Sequence, residues 1–249
     1  MLKKLLNNTK NVAANILFPP NVMCLCCGDE LNGSHKQPSI CDACQIEYNK
    51  DFCYRCGRPQ KNMAEFCDRC IAHGTYNFEK ARSSVCYNDT AKKLIYQFKY
   101  GEAKYLAPHL ANYMFECALS GDTLTYGIDL IIPVPLHKKR LRERGYNQSE
   151  LLAKEFSKLS NIPYKLALKK TIHTKNLAKL KRQERASIIK NSFEVVEDTD
   201  LKNKSVLLID DVLTTTATAD ECARILKKAG AATIKTLTFT SVGVEQKDR

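Results

Sequence analysis

No stretch of the 249-residue chain is apolar for long enough to cross a bilayer, so no membrane span is expected. The first twenty residues, MLKKLLNNTKNVAANILFPP, break their apolar character with Asn and Lys before a signal-peptide core could form. That absence points to a cytoplasmic protein, and the segment suits a short amphipathic helix from about Leu2 to Phe18 ended by Pro19 and Pro20. Among the ten glycines there is neither G-x-x-x-x-G-K-[ST] nor G-x-G-x-x-G, which removes the usual loops for nucleotide hydrolysis and dinucleotide binding. Acidic residues are in deficit: 27 Asp and Glu face 39 Lys and Arg, a net charge of +12. The imbalance is local, because residues 135–145 carry five basic residues against one acid and 169–190 carry eight against one. A polyanion is the natural partner for such stretches, although charge alone does not separate nucleic acid, a membrane surface and a polyphosphate metabolite.

Cysteine is the residue in surplus, with twelve in the chain. Eight form four Cys-x-x-Cys pairs: Cys24/Cys27, Cys41/Cys44, Cys53/Cys56 and Cys67/Cys70. CLCCG and CYRCG each end in Gly, whereas CDAC and CDRC each carry Asp after the first Cys, and this order is an internal duplication. The economical reading is two structural zinc ribbons in series, Cys24, Cys27, Cys41 and Cys44 on one metal and Cys53, Cys56, Cys67 and Cys70 on the other, with interleaved pairing as the alternative. Each metal would organise about 20 residues too poor in apolar material to fold alone. Closed sites of four thiolates leave no open position for substrate. Cys26, Cys86, Cys117 and Cys222 are expected as ordinary buried thiols, and none of the five scattered histidines, His73 included, has a metal role to fill.

After Gly74 the cysteine pairs stop and apolar runs alternate with helical patterns. KARSSVCY, IDLIIPVP, SVLLID and TIKTLTFT read as strands and YKLALKK and NSFEVV as short ones, while 90–100, 104–119, NQSELLAKEFSKL and TADECARILKKAG read as helices. The fold class is therefore α/β, a mostly parallel sheet with helices on both faces, preceded by a small double zinc ribbon. The organisation expected is a helix over 1–20, ribbons over 21–75 and the α/β domain over 76–249.

In such sheets ligands sit beyond the carboxyl ends of the strands. VLLIDDVLTTTATA places Asp210 and Asp211 at the end of an inner strand and then feeds Thr214, Thr215, Thr216, Ala217 and Thr218 into a helix N-terminus. Free amides and the helix dipole there favour an anion, and the hydroxyls of Thr214, Thr215 and Thr218 add donors for a phosphate. Carboxylates repel phosphate, so the two aspartates must serve sugar hydroxyls or a metal. One compound offers a phosphate, vicinal hydroxyls and a metal-bound diphosphate, namely 5-phosphoribosyl 1-diphosphate (PRPP). Simple capping of a helix by Asp and Thr is the plainer alternative, and two acids with three threonines exceed what a cap needs.

The acidic-threonine loop resembles the PRPP-binding signature of type I phosphoribosyltransferases. With IIPVPLHKKRLRERGYNQSELLA, FKYGEAKYLAPHLA and ILFPPNVMCLCCG, the chain is similar from about Phe18 to Thr240 to the ComF family of competence-associated proteins. The resemblance implies that Asp210 and Asp211 bind the ribose hydroxyls directly or through Mg²⁺, and that the loop amides with Thr214, Thr215 and Thr218 hold the 5-phosphate. It implies a diphosphate loop after Pro135 with Arg140, Arg144, Gly145, Tyr146, Asn147 and Gln148. It also implies a mobile loop over 169–190, including Arg185, closing over substrate to exclude water. Two departures stand out: Thr216 occupies the place of a Gly that tolerates positive φ, and Leu177 and Ile188 replace polar residues of the mobile loop.

Three functional classes follow. One is a phosphoribosyltransferase whose acceptor site lies in a hood formed before Asp129. Another is a single-stranded DNA-binding protein of DNA uptake, with Tyr146, Tyr164 and Phe193 stacking bases beside the basic stretches. The third is a zinc-dependent scaffold docking a helicase or an uptake-channel protein.

Overall fold

The computed structural model describes residues 23–31, 39–60, 64–120, 124–173 and 189–242. The expected N-terminal helix, and Leu177, Arg185 and Ile188 of the expected mobile loop, lie outside the described residues. Among those described, the elements in chain order are α1 (Asp68–His73), β1 (Lys80–Cys86), α2 (Asp89–Tyr100), α3 (Leu106–Leu119), β2 (Leu130–Pro133) and α4 (Lys138–Arg144). They continue with α5 (Gln148–Ser160), β3 (Leu168–Lys170), β4 (Phe193–Val195), β5 (Ser205–Leu213), α6 (Ala217–Lys228) and β6 (Thr233–Ser241).

Four strands pair in parallel in the order β1-β6-β5-β2, and β3 and β4 form a separate antiparallel pair. The inner strands read as unbroken aliphatic runs because both faces are covered. Side chains alternate across the sheet. Leu207, Ile209, Leu237, Phe239 and Ile131 join the core beneath α2, α3 and α5 with Phe98, Met114 and Phe156. Val206, Leu208, Ile132 and Ile234 join Cys222, Ala223 and Leu226 of α6 and Phe193 of β4 on the other face.

The chain leaves β2 for α5 on one face and β5 for α6 on the opposite face, so the crossover direction reverses between these two neighbours. Such a reversal opens a crevice at the carboxyl ends. β2 stops pairing at Pro133, opposite Ile209, whereas β5 stays paired to β6 through Asp210↔Thr238 and Leu213↔Ser241. Asp210 and Asp211 therefore lie inside β5, three and two residues before its end, and do not terminate it as expected from sequence. The longer partner strand carries the hydrogen bonding past the acids.

The helix boundaries follow local chemistry. Asn88 caps α2 by accepting from the Ala91 amide, and Asn147 caps α5 by accepting from the Ser149 amide. The segment over 138–144, read as part of a loop, is the helix α4, capped by His137 and ended by Gly145 at φ 80°. The ribbons lie on the β1 edge: the Asn49 amide bonds Ser84 O at 3.0 Å, the Cys86 amide bonds Glu47 O at 2.8 Å, and the Ala81 amide bonds Arg55 O at 2.8 Å. Unpaired edge groups of β1 are thereby covered.

Candidate functional site

Asp210 and Asp211 stand at the mouth of the crevice, each held by a different element. Asp210 Oδ1 accepts from the Ser149 hydroxyl in the first turn of α5 at 2.7 Å and from the Asp211 amide at 2.9 Å. Asp211, buried, meets Lys99 Nζ near the end of α2 at 2.9 Å. Burial, and secondly the neighbouring Asp211 carboxylate, push the Asp210 carboxyl up to about 6, against the opposing pull of the Ser149 hydroxyl and of Lys99. On the far side of the crevice burial drives Lys170 of β3 downward from its ordinary value, while the charge of Asp210 raises it. Adjacent carboxylates in a partly dry site weaken a fold unless a cation or a hydroxylated ligand completes them.

The threonine turn carries the chain from β5 into α6. Thr214 is exposed, Thr218 half-buried, and Thr215 and Thr216 are buried. Of the hydroxyls expected to meet a phosphate, those of Thr214 and Thr218 are therefore the more accessible. Thr216 sits at φ −70°, ψ −9°, an ordinary helical conformation, so this turn does without the positive φ expected of a Gly there. No side chain caps the start of α6, which leaves its first amides without a side-chain acceptor.

The basic side of the site is built by α4 and the residues after it. Arg140 and Arg144 line a cavity of about 250 Å³ together with Lys99, Tyr100, Glu102, Glu143 and Tyr146. Lys99 thus joins this cavity to the acid pair, while the cavity wall contains neither aspartate nor any residue of 214–218. Arg144 donates to Gln148 Oε1 at 2.6 Å and its guanidinium lies 5.2 Å from the Tyr100 ring. The rest of Arg-Gly-Tyr-Asn-Gln is architecture: the Tyr146 hydroxyl and Gln148 Nε2 both donate to Phe98 O, at 2.6 and 3.2 Å, and Asn147 Nδ2 donates to Val134 O at 3.1 Å. These bonds tie α2 and the end of β2 to the start of α5. They also correct the expected stacking platform, because Tyr146 is 7% and Phe193 2% exposed, which leaves Tyr164 alone of the three with an accessible ring.

Both cysteine quartets assemble in the sequential pairing. Cys24, Cys27, Cys41 and Cys44, and separately Cys53, Cys56, Cys67 and Cys70, bring their sulfurs within 4.8 Å of one another. Zinc–sulfur bonds of about 2.3 Å in a tetrahedron separate sulfurs by roughly 3.8 Å. Cys27 and Cys41 Sγ are 3.6 Å apart and Cys56 and Cys67 Sγ 3.8 Å, so the donor sets fit zinc. Cys26, Cys117 and Cys222 are buried outside both quartets, and His73 stacks on Tyr76 with ring centroids 4.2 Å apart.

Local sequence patterns gave no sign of Lys99, Ser149 and Lys170, nor of Arg58 and Tyr76 from the second ribbon, which reach the threonine turn. Arg58 Nη2 donates to Thr214 O at 3.2 Å, and the Tyr76 hydroxyl lies beside the Thr216 side chain. Their positions 156 and 140 residues before their partners leave no trace in any short window.

Residues 13–71 match the double zinc ribbon domain family and residues 144–249 the phosphoribosyl transferase domain family. Competence protein F of Haemophilus influenzae is 28% identical over 221 residues, 86% of this chain and 95% of that protein. DNA utilization protein YhgH of Escherichia coli (strain K12) is 27% identical over 202 residues, 79% of this chain and 87% of that protein. Competence protein ComFC of Bacillus subtilis is 26% identical over 209 residues, 80% and 83% respectively. Among solved structures, a purine phosphoribosyltransferase from Pyrococcus horikoshii Ot3 is 19% identical, covering 56% of this chain and 83% of that one at a TM-score of 0.36. Among the described residues no helix is long and apolar enough to cross a membrane.

Proposed function

We propose that this chain, a homologue of the ComF-type competence and DNA utilization proteins that joins a double zinc ribbon to a phosphoribosyl transferase domain, binds PRPP with Mg²⁺ in the crevice between β2 and β5. The observation that carries the reading is the acid pair. Two adjacent carboxylates are held in place by Ser149 and Lys99, one of them with its carboxyl pushed up to about 6, directly before an uncapped helix start. Lys99 offsets only one of the two carboxylates and the helix start keeps amides without a side-chain acceptor, and a ribose 5-phosphate bound with Mg²⁺ would answer both. Asp210 and Asp211 would receive the ribose hydroxyls, the amides of 215–218 with the Thr214 and Thr218 hydroxyls the 5-phosphate, and Arg140, Arg144 and Lys99 the diphosphate end. Mg²⁺, when bound with the ligand, would neutralise diphosphate charge. The protein's own part is positioning and charge neutralisation, which needs no covalent nucleophile.

Differential scanning fluorimetry with PRPP and Mg²⁺ tests the reading. A rise in melting temperature is expected in the wild type, and it should vanish in Asp210→Asn/Asp211→Asn. An unmoved wild-type transition at saturating ligand counts against the reading.

A second reading keeps the fold as a single-stranded DNA binder of the uptake machinery, consistent with the names of the relatives. Exposed tyrosines support it, though not those expected. Tyr96, Tyr100 and Tyr105 are 66, 59 and 61% exposed along and just beyond α2, in a stretch that also carries Lys92, Lys93, Lys99 and Lys104. Bases would stack on such rings while lysines meet phosphates, and affinity would fall steeply with salt. A flat salt dependence, or full binding by Tyr96→Ala/Tyr100→Ala, would remove this reading.

A further inference from the structure

The second zinc ribbon does not merely sit beside the α/β domain. Three of its contacts converge on one short segment, the threonine turn and the first turn of α6. Arg58, two residues beyond the ligand Cys56 and only 2% exposed, donates through Nη2 to Thr214 O at 3.2 Å. The Tyr76 hydroxyl lies 3.9 Å from Sγ of the ligand Cys70 and beside the Thr216 side chain, which opposes the burial that pushes the tyrosine up to about 12. Asn77 donates to Asp220 Oδ1 in the first turn of α6, from its amide at 2.5 Å and from Nδ2 at 3.1 Å. Thr216, the residue at the N-cap position, makes no side-chain cap on α6.

The ribbon is itself fixed against the sheet. Gly57, between Cys56 and Arg58, has φ +67°, and an added Cβ would lie 2.4 Å from Ala81 O. Gly57 O accepts from Asn49 Nδ2 at 2.8 Å and from the Ser83 hydroxyl at 2.9 Å. Tyr76 is clamped between His73 and Phe78, with ring centroids 4.2 and 4.8 Å away. The Cys53–Cys56 knuckle places Arg58, and the Cys67–Cys70 knuckle opens α1, which leads to Tyr76. A metal bridging the two knuckles would add to these contacts and hold both residues in register with one turn.

We propose that Arg58 and Tyr76 are positioning residues for the phosphate-binding turn, and that zinc on Cys53, Cys56, Cys67 and Cys70 and a sugar phosphate on that turn strengthen each other's binding. This inference rests on the reading of the crevice as a PRPP site. Coupling between two sites is reciprocal, so it has two readouts. Tyr76→Phe removes one hydroxyl and keeps the ring stack, and Arg58→Lys keeps the charge and loses the fork that reaches Thr214 O. Loss of one such hydrogen bond weakens binding by roughly fivefold. Isothermal titration with PRPP and Mg²⁺ should therefore give a dissociation constant about fivefold higher for Tyr76→Phe while both zinc ions remain bound. In the other direction, PRPP with Mg²⁺ should slow zinc release from the second ribbon to a chromogenic chelator, and Tyr76→Phe should lose that protection. Asp210→Asn/Asp211→Asn in the same mixture controls for metal capture by the ligand itself. Wild-type protein that fails to bind PRPP overturns the reading of the crevice and this inference with it. Wild-type protein that binds PRPP, with unchanged affinity in both ribbon variants or with zinc release indifferent to ligand, overturns the coupling alone.

Discussion

Replacing Asp210 by Asn should make the ligand-free protein more stable, and by an amount that depends on pH. The carboxyl is carried from its ordinary value of 3.8 to about 6, by burial first and by Asp211 second. Between those two values the folded state holds a proton that the unfolded chain has released, so wild-type stability falls as pH rises from about 4 to 6 and stays lowered above. At roughly 1.4 kcal/mol per pH unit the full cost is about 3 kcal/mol, an upper figure because part of the residue still meets solvent. Asn removes the charge yet keeps an oxygen to accept from the Ser149 hydroxyl and the Asp211 amide. The same linkage gives an advantage of about 1.5 kcal/mol at pH 5, growing to about 3 kcal/mol at pH 8. Urea unfolding of both proteins at a series of pH values, with zinc present, reads this directly, and any effect of pH on the ribbons is shared and cancels. A gap that stays constant from pH 5 to 8, or an Asn variant less stable than wild type at pH 8, would refute the reasoning.

Three further outcomes follow, two from the ribbons and one from the glycine that closes α4. Cys53, Cys56 and Cys70 are fully buried, whereas Cys27, Cys41 and Cys44 are partly exposed, so a chelator should remove one zinc per chain quickly and the second far more slowly. Equal release rates, followed by chelator absorbance, would contradict the burial argument. Gly57→Ala meets both a left-handed conformation and β1 backbone at 2.4 Å, and should cost about 2–5 kcal/mol in thermal unfolding. Gly145→Ala shares the positive φ but has open space around its Cβ, and should cost only about 1–2 kcal/mol.

Elements with an apolar period are legible in the sequence, whereas groups whose partners lie far along the chain are not. The strands and helices after Gly74 follow from apolar periodicity, and the sequential cysteine quartets from the repeat of CLCCG and CYRCG. α4 was invisible because KKRLRER has one apolar residue and buries none, so it carries no amphipathic period. The resemblance assigns Arg-Gly-Tyr-Asn-Gln to a diphosphate loop, yet Tyr146, Asn147 and Gln148 donate to the Phe98 and Val134 carbonyls. Only a partner 48 residues away tells the two apart. The same holds for Asp211, whose cation, Lys99, comes from α2. The aspartates were placed at a strand end since charge normally stops a buried run. β6, pairing beyond them, makes the difference.

The two ribbons share a sequence pattern but have taken on different mechanical tasks. In the first, Gly28 turns at φ +83° with nothing near its Cβ, Cys24 and Cys26 enter the core beneath α2 and α3, and Cys26 O accepts from Gln97 Nε2 of α2 at 3.3 Å. In the second, the equivalent Gly57 is pressed against β1, and the residue after it grips the threonine turn. Lys99, one residue before the end of α2, meets Asp211, so the first ribbon supports the cationic flank of the crevice and the second supports the threonine turn. A duplicated metal module would be redundant if it served only to stabilise the chain. Here each copy stands behind a different wall of the same crevice, which gives a physical reason for both to be kept on this fold.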